Sequence, residues 1–351
     1  MALIEMTIAF FIVRGMLFYV GTRIAFVFSL PIGVWATASM IIAGVGVLIS
    51  FEYAGKGKWR DYIGIISMWI FALLTTATVV LAAEHLFKLS LLIPSILTVL
   101  LISAITLRGF LRSRTIIHTH YTIISDKIKK NLKIIFISDI HSDLVYGKRH
   151  LKKIVDQIIA EQPDMVLVGG DIVNTPQATY VAAFNEFQRI KVPMYAVIGN
   201  HDVYFGPFTE VISAVFRTAK MLPLRNKSII QDGIQIVGID DCKLRGKKTL
   251  IDTMNACNIQ RQGLFTIFLT HRPIHLSKVR NYPIDLELAG HTHNGQIRGV
   301  HFISHMVFDY NYGKYTRKDR TAIVSQGLGA GIPFRIGTEG EIVILHLEKK
   351  K

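Results

Sequence analysis

Asp139 with His141, Asp171, Asn200 with His201 and Asp202, His271, and His291 with His293 stand at the ends of five short apolar runs. The runs are LKIIFISD (132–139), DMVLVGGD (164–171), PMYAVIGN (193–200), LFTIFLTH (264–271) and DLELAGH (285–291). Singly, each residue has an ordinary use: an acid caps a helix, an asparagine holds a turn, a lone imidazole satisfies a buried hydrogen bond. Recurrence at successive strand-like termini is different, because ligands in an open α/β sheet bind beyond the strand ends. The other eight histidines, among them His118, His150 and His346, show no comparable company and read as structural. The set mixes carboxylate and amide oxygens with imidazole nitrogens and contains no thiolate. Such donors suit borderline divalent ions, with Mn expected and Fe or Zn as alternatives, and argue against Cu(I) or an iron–sulfur cluster. Seven ligands, Asp139, His141, Asp171, Asn200, His271, His291 and His293, exceed what one ion with an open position takes. They suffice for two ions sharing a carboxylate, the arrangement that clamps attacking and leaving oxygens in a displacement at phosphorus.

The elements that must position these groups are legible in the texture of the chain from residue 132 onward. The five runs read as buried strands. Helix candidates lie between the first three, over 148–161, where Leu151, Ile154, Val155, Ile158 and Ile159 fall at helical spacing, and over 177–189. This alternation predicts an α/β domain. Asp232-Gly233 inside SIIQDGIQIVGID predicts a hairpin turn, since both residues tolerate positive φ. TAIVSQ and EIVILHL read as closing strands separated by the glycine-rich GLGAGIPFRIGTEG.

Taken in order, DIH, GGD, GNHD, TH and GHTH resemble the motifs of the calcineurin-like metallophosphoesterases, over residues 132 to about 347. GHTHNGQI and YGKY are similar to the membrane-associated branch of that family, which includes a UDP-2,3-diacylglucosamine diphosphatase. Asn294 stands where that pattern has glycine, and RIGTEGEI matches it loosely. The resemblance implies a two-sheet sandwich flanked by helices. It also implies that Asp139, His141 and His293 hold one ion and Asn200, His271 and His291 a second, with Asp171 bridging them. A metal-bridging hydroxide would attack phosphorus. His201 would stabilise the transition state and protonate the leaving oxygen, its ring oriented by Asp202. Gly290 would let the backbone pass close to the site. Asp143 and Arg272 read either as exposed charges or, respectively, as an acceptor for a ligand imidazole and a contact to a phosphate oxygen.

The preceding part of the chain reads differently. Uncharged stretches at 24–51, 62–83 and 89–107, and a weaker one at 2–22 interrupted by Arg14, approach the roughly 20 residues that cross a bilayer. The expected fold class is therefore a multi-span α-helical membrane domain of three to four helices (1–110), a basic linker (111–131) and an α/β metallophosphoesterase domain (132–351). Lys56, Lys58 and Arg60 in one loop, and Arg108, Arg112 and Arg114 after the last span, place both segments, and so the catalytic domain, in the cytosol of a multi-pass cell-membrane protein. There Cys242 and Cys257 would be free thiols. The formal net charge of +15 comes without a basic helix interleaved with stacking aromatics, which excludes nucleic acid as the expected partner. Lys127, Lys129, Lys130 and Lys133 instead suit an anionic phospholipid surface. The expected activity is metal-dependent hydrolysis of a phosphoester or pyrophosphate, on a membrane lipid or lipid-linked substrate such as UDP-2,3-diacylglucosamine. Soluble phosphodiesters, or a non-catalytic scaffold on the same fold, are the alternatives.

Overall fold

Each of the five apolar runs forms a strand in the computed structural model, which describes residues 15–22, 95–143, 145–174, 178–203, 210–241, 250–257, 259, 263–298, 301–331 and 333–350. The chain divides into two units, Met1–Leu111 and Arg112–Lys351.

In the first unit residues 15–22 are helical, and α1 begins at Ser95 and runs to Arg112. Tyr19 and Val20 pack with Ile102. The expected multi-span membrane domain is not what the structure shows: among the described residues no helix is long and apolar enough to cross a membrane. The stretches at 24–51 and 62–83 lie outside the described residues, as does most of 2–22. The stretch at 89–107 meets α1, and the two do not coincide. Eighteen residues at a rise of about 1.5 Å reach roughly 27 Å, short of a hydrocarbon core of about 30 Å. The helix also runs on through Arg108 to Arg112 in its last turn. The multi-pass cell-membrane location rested on those spans and is overturned by the same finding.

The second unit contains two six-stranded sheets. The first has the order β1 (Ile116–Ser125), β12 (Gly340–Lys349), β2 (Leu132–Ile137), β3 (Met165–Val168), β4 (Met194–Ala196), β5 (Leu222–Pro223). All its pairs are parallel except β12 with β2. The second has the order β10 (Gly313–Arg317), β11 (Arg320–Val324), β9 (Leu286–Ala289), β8 (Phe265–Leu269), β7 (Ile234–Gly238), β6 (Lys227–Gln231). Its four middle strands are parallel and its edges antiparallel. Parallel strands are covered on both faces, which is why these runs are continuously apolar.

Strand alternation assigns the two faces. Ile134 and Phe136 join Leu167, Val197, Ile236, Ile267, Leu269 and Leu288 between the sheets. Ile135 and Ile137 point the other way, onto Leu151, Ile154, Val155 and Ile158 of α2 (Lys148–Ala160) and Val215 and Phe216 of α3 (Glu210–Ala219). On the far side of the second sheet, Val237 and Phe268 pack with Met254 of α4 (Leu250–Ala256). The result is helix, sheet, sheet, helix. The β6–β7 turn is Asp232-Gly233, at φ 51° and 78°.

Residues 116–125, inside the stretch expected to be a linker, form the edge strand β1, paired along its length with β12. The neighbouring lysines make ion pairs within the domain: Lys127 with Asp285, Lys130 with Asp232 and Lys133 with Glu161. Cys257 is a buried free thiol, and Cys242 lies outside the described residues.

Candidate metal centre

β2, β3 and β4 are neighbours in one sheet and β7, β8 and β9 in the other, so the loops leaving their carboxyl ends converge. Asp139 and His141 follow β2, Asp171 follows β3, and Asn200 to Asp202 follow β4. His271 follows β8, and His291 and His293 follow β9. Backbone conformation marks the spot. Asp139, His141, Asp171, His291 and His293 all have φ between 48° and 72°, a left-handed region that costs a side-chain-bearing residue about 1–2 kcal/mol. The chain holds these five in conformations it would not choose locally. Close approach is needed as well: a Cβ on Gly290 would collide with Ser138 Oγ and Asp139 Oδ2, and one on Gly199 with Asp171 Oδ1.

All seven expected ligands come together, in two halves. In one, His141 Nε2 and His293 Nε2 are 3.3 Å apart, and Asp139 Oδ1 is 4.0 and 3.7 Å from them. In the other, His271 Nε2 lies 3.1 Å from both Asn200 Oδ1 and His291 Nδ1. Asp171 Oδ2 sits between the halves, 3.7 Å from His141 Nε2 and 3.2 Å from His271 Nε2. Donors at about 2.0–2.2 Å from a common ion are separated by roughly 3 to 3.5 Å, so much of this spacing is that of a coordination shell.

Electrostatics point the same way. Burial first, then neighbouring positive charge, pushes His141 down to about 3 and His291 down to about 2, and holds His293 well below the usual imidazole range. A neutral imidazole is the form that binds metal. Burial would also lower His271, but the Asp171 carboxylate outweighs it and raises His271 to about 10. For Asp171, burial acts upward, yet the facing His271 and the other imidazoles hold it well below the usual carboxylate range. Burial raises Asp139 to about 6 and Asp202 to about 7. These buried carboxylates call for positive charge that a proton on His271 meets only in part. Divalent metal ions would supply it and leave the nitrogen to coordinate. The Nδ1 of His271 faces the Gly169 carbonyl at 2.9 Å, which fixes the proton there and presents Nε2 to the centre.

Surrounding groups lock the ligands. Asp139 accepts from Ser138 Oγ and from the His291 amide, and Asp171 Oδ1 accepts from the His201 amide at 2.8 Å. His201 stands edge-on to His141, with ring centroids 4.7 Å apart. Its Nδ1 faces the carbonyl of Asn174 at 3.1 Å. Asp202, expected to orient that ring, has a different occupation: its two oxygens accept from the amides of Ile172, Val173 and Gly199. It ties the β3 loop to the β4 loop. Asp143 is buried and caps Val145 and Tyr146 while accepting from Asn174 Nδ2. Arg272 is no exposed charge: its Nε donates to buried Asp241 at 2.6 Å, its NH2 reaches Asn200 Oδ1 at 3.0 Å, and its NH1 touches His291.

Three groups escaped the sequence reading. Arg335 is fully buried, donates to the carbonyls of Gln326, Gly329 and Glu339, and lies 3.5 Å from His293 Nδ1. Glu341 accepts from Thr119, Tyr312, Ser325 and the Gln326 amide. Neither position carries a local signal. Asp241 does: it follows β7, and the rule that found the other strand-end residues would have found it.

The α/β sandwich of two sheets, with carboxylate, amide and imidazole donors converging at adjacent strand ends, is metallophosphoesterase-like. Residues 132–295 match the calcineurin-like phosphoesterase family. An uncharacterized metallophosphoesterase of Helicobacter pylori is 32% identical over 232 residues, covering 64% of this chain and 62% of that one. The Bacillus subtilis metallophosphoesterase YkuE is 28% identical over 257 residues, 68% of this chain and 88% of the relative. Phosphodiesterase YaeI of Escherichia coli is 26% identical over 227 residues, 61% and 82% of the two chains. The chain thus spans about 62% of the length of the Helicobacter relative. Together these matches make the chain similar to the calcineurin-like metallophosphoesterases over residues 132–295.

Proposed function

We propose that the chain hydrolyses a phosphoester or pyrophosphate bond at a centre of two divalent ions. One observation carries the reading: a single carboxylate oxygen, Asp171 Oδ2, faces an imidazole of each half, at 3.7 and 3.2 Å. Asp139, His141 and His293 would hold one ion, Asn200, His271 and His291 the other, and Asp171 both. When bound, the ions lower the pKa of water and neutralise charge on the phosphoryl group. The chain supplies the rest. With its Nδ1 proton held by the Asn174 carbonyl, His201 exchanges a proton at Nε2 and hands it to the leaving oxygen. Arg272, occupied with Asp241, Asn200 and His291, positions the second half.

The finer substrate class is also a proposal. A lipid-linked phosphate or pyrophosphate such as UDP-2,3-diacylglucosamine rests on the GHTHNGQI and YGKY motifs alone, since no described helix is long and apolar enough to cross a membrane. A soluble phosphodiester is the second reading, favoured by the name of the Escherichia coli relative. The test is a panel of a phosphomonoester, a phosphodiester, a nucleotide pyrophosphate and a lipid-linked pyrophosphate, run with Mn, Fe or Zn on wild type and Asp171→Ala. Turnover of at least one substrate by wild type, lost together with bound metal in the variant, is the expected result. A variant that keeps both metal and turnover sinks the two-ion reading.

A further inference from the structure

An aromatic ring stands against the second half of the metal centre. Half-buried Phe308 packs edge-on to His291, with ring centroids 5.5 Å apart. It follows directly on α5 (His301–Val307), a short helix seated on the turn that carries His291 and His293: a Cβ on Gly295 would lie 2.6 Å from His301 Cα. Polar bonds fix this segment from within. Ser304 Oγ donates to Oδ1 of buried Asn311, and the Phe308 amide donates to the Ser304 carbonyl.

The same segment turns two apolar side chains to the outside. Met306 is 81% exposed and Val307 69%. A single exposed apolar residue needs no explanation. These two differ in company and in place. They are the only sequence neighbours among the exposed large apolar residues described in the second unit, and they adjoin a phenyl ring that touches an expected metal ligand. Neither joins an apolar cluster of the core among the described residues. Their apolar surface therefore does little for folding and is available for binding.

We propose that Phe308, Met306 and Val307 form an apolar rim that receives a hydrocarbon part of the substrate and so selects an amphiphilic phosphoester over a wholly polar one. The inference rests on the two-ion reading, because that reading puts the phosphoryl group beside His291. Continuity with the centre identifies the occupant: a molecule anchored there by its phosphorus must send a substituent outward, and across Phe308 it meets methyl, thioether and phenyl groups rather than hydrogen-bonding ones. A sugar or a bare phosphate gains nothing from such a surface. A hydrocarbon chain gains up to about four-fold in affinity for each methylene it buries, and the unbranched Met306 adapts to chains of different shape.

The full chain, loaded with Mn, is titrated calorimetrically with methyl-, butyl- and octylphosphonate, whose P–C bond resists hydrolysis. Wild type is compared with the Met306→Ser/Val307→Ser double variant and with Leu222→Ser, which changes an equally apolar, exposed residue on β5 outside the rim. Thermal unfolding reports whether each variant folds, and the two single variants are measured if the double one does not. Affinity rising about ten-fold or more from methyl to octyl in wild type and Leu222→Ser, with most of that rise lost in the rim variant, supports the proposal. Binding of methylphosphonate with no gain on lengthening the chain overturns it and leaves the two-ion reading standing. An equal rise in all three proteins overturns it as well. No binding at any chain length counts against the rim and the two-ion reading together.

Discussion

The two halves of the metal centre are fixed by different means. His293 of the first half lies beside the guanidinium of Arg335, which donates to the carbonyls of Gln326, Gly327 and Gly329 and so binds the glycine-rich loop after β11 to the core. That loop in turn donates from the Leu328 and Gly329 amides to the carbonyls of Ser138 and Asp139. The second half is braced by an ion pair, Arg272 with buried Asp241, whose guanidinium extends to Asn200 and His291. Backbone bracing is part of the fold itself, whereas a side-chain pair can be removed by one isosteric change. The first half should therefore fail with the domain, and the second should fail alone.

Four variants break or sharpen this contrast. The largest effect is expected for Asp171→Asn, which belongs to both halves: metal analysis should show both ions lost, and kcat/KM should fall about a thousand-fold, or ~4 kcal/mol. Retention of one ion at full occupancy would show that the halves do not depend on this carboxylate. Next is Arg335→Met, which strands several buried carbonyls. Urea unfolding should show a loss on the order of 3 kcal/mol, in metal-free protein as much as in loaded protein. Asp241→Asn should leave the unfolding midpoint nearly unchanged while weakening one of two metal-binding phases by about 10- to 100-fold. Equal weakening of both phases would erase the distinction.

The smallest effect concerns Glu287 on β9, beneath the second half. Its Oε1 accepts from the Ile274 amide, Oε2 has no partner among the described residues, and burial raises the group to about 8. Because its folded pKa is raised, the unfolded chain releases this proton first. Its contribution to stability is whole below about 4.5 and is lost as pH rises toward about 8, with a slope of at most about 1.4 kcal/mol per pH unit. Glu287→Gln should flatten stability against pH in that window. An unchanged slope would place the titration elsewhere.

The parts that were legible share one property: a continuous apolar run followed directly by a donor, as in FTIFLTH or LELAGH. Burial on both faces and a carboxyl-end loop are encoded locally there. β1 was missed because IIHTHYTIIS alternates exposed and half-buried positions and pairs with a strand more than 200 residues away. Asp202 was recognised as important but assigned the wrong partner. Adjacency in GNHD suggests contact with the His201 ring, while the turn aims its carboxylate at three amides instead. Arg335 was invisible because charge in a sequence says nothing of burial. The apolar stretch at 89–107 misled for the opposite reason: absence of charge matches a span in composition, but α1 is displaced from that stretch and ends in arginine.

The left-handed backbone at Asp139, His141, Asp171, His291 and His293 bears on how the centre acquires ions. Those torsions belong to the fold of the loops themselves, so the ligands take their shape from the chain and an arriving cation need reorganise little. Loading should then resemble entry into a rigid crown, rapid and limited by dehydration of the ion, with hydrogen exchange in the flanking loops hardly altered by occupancy.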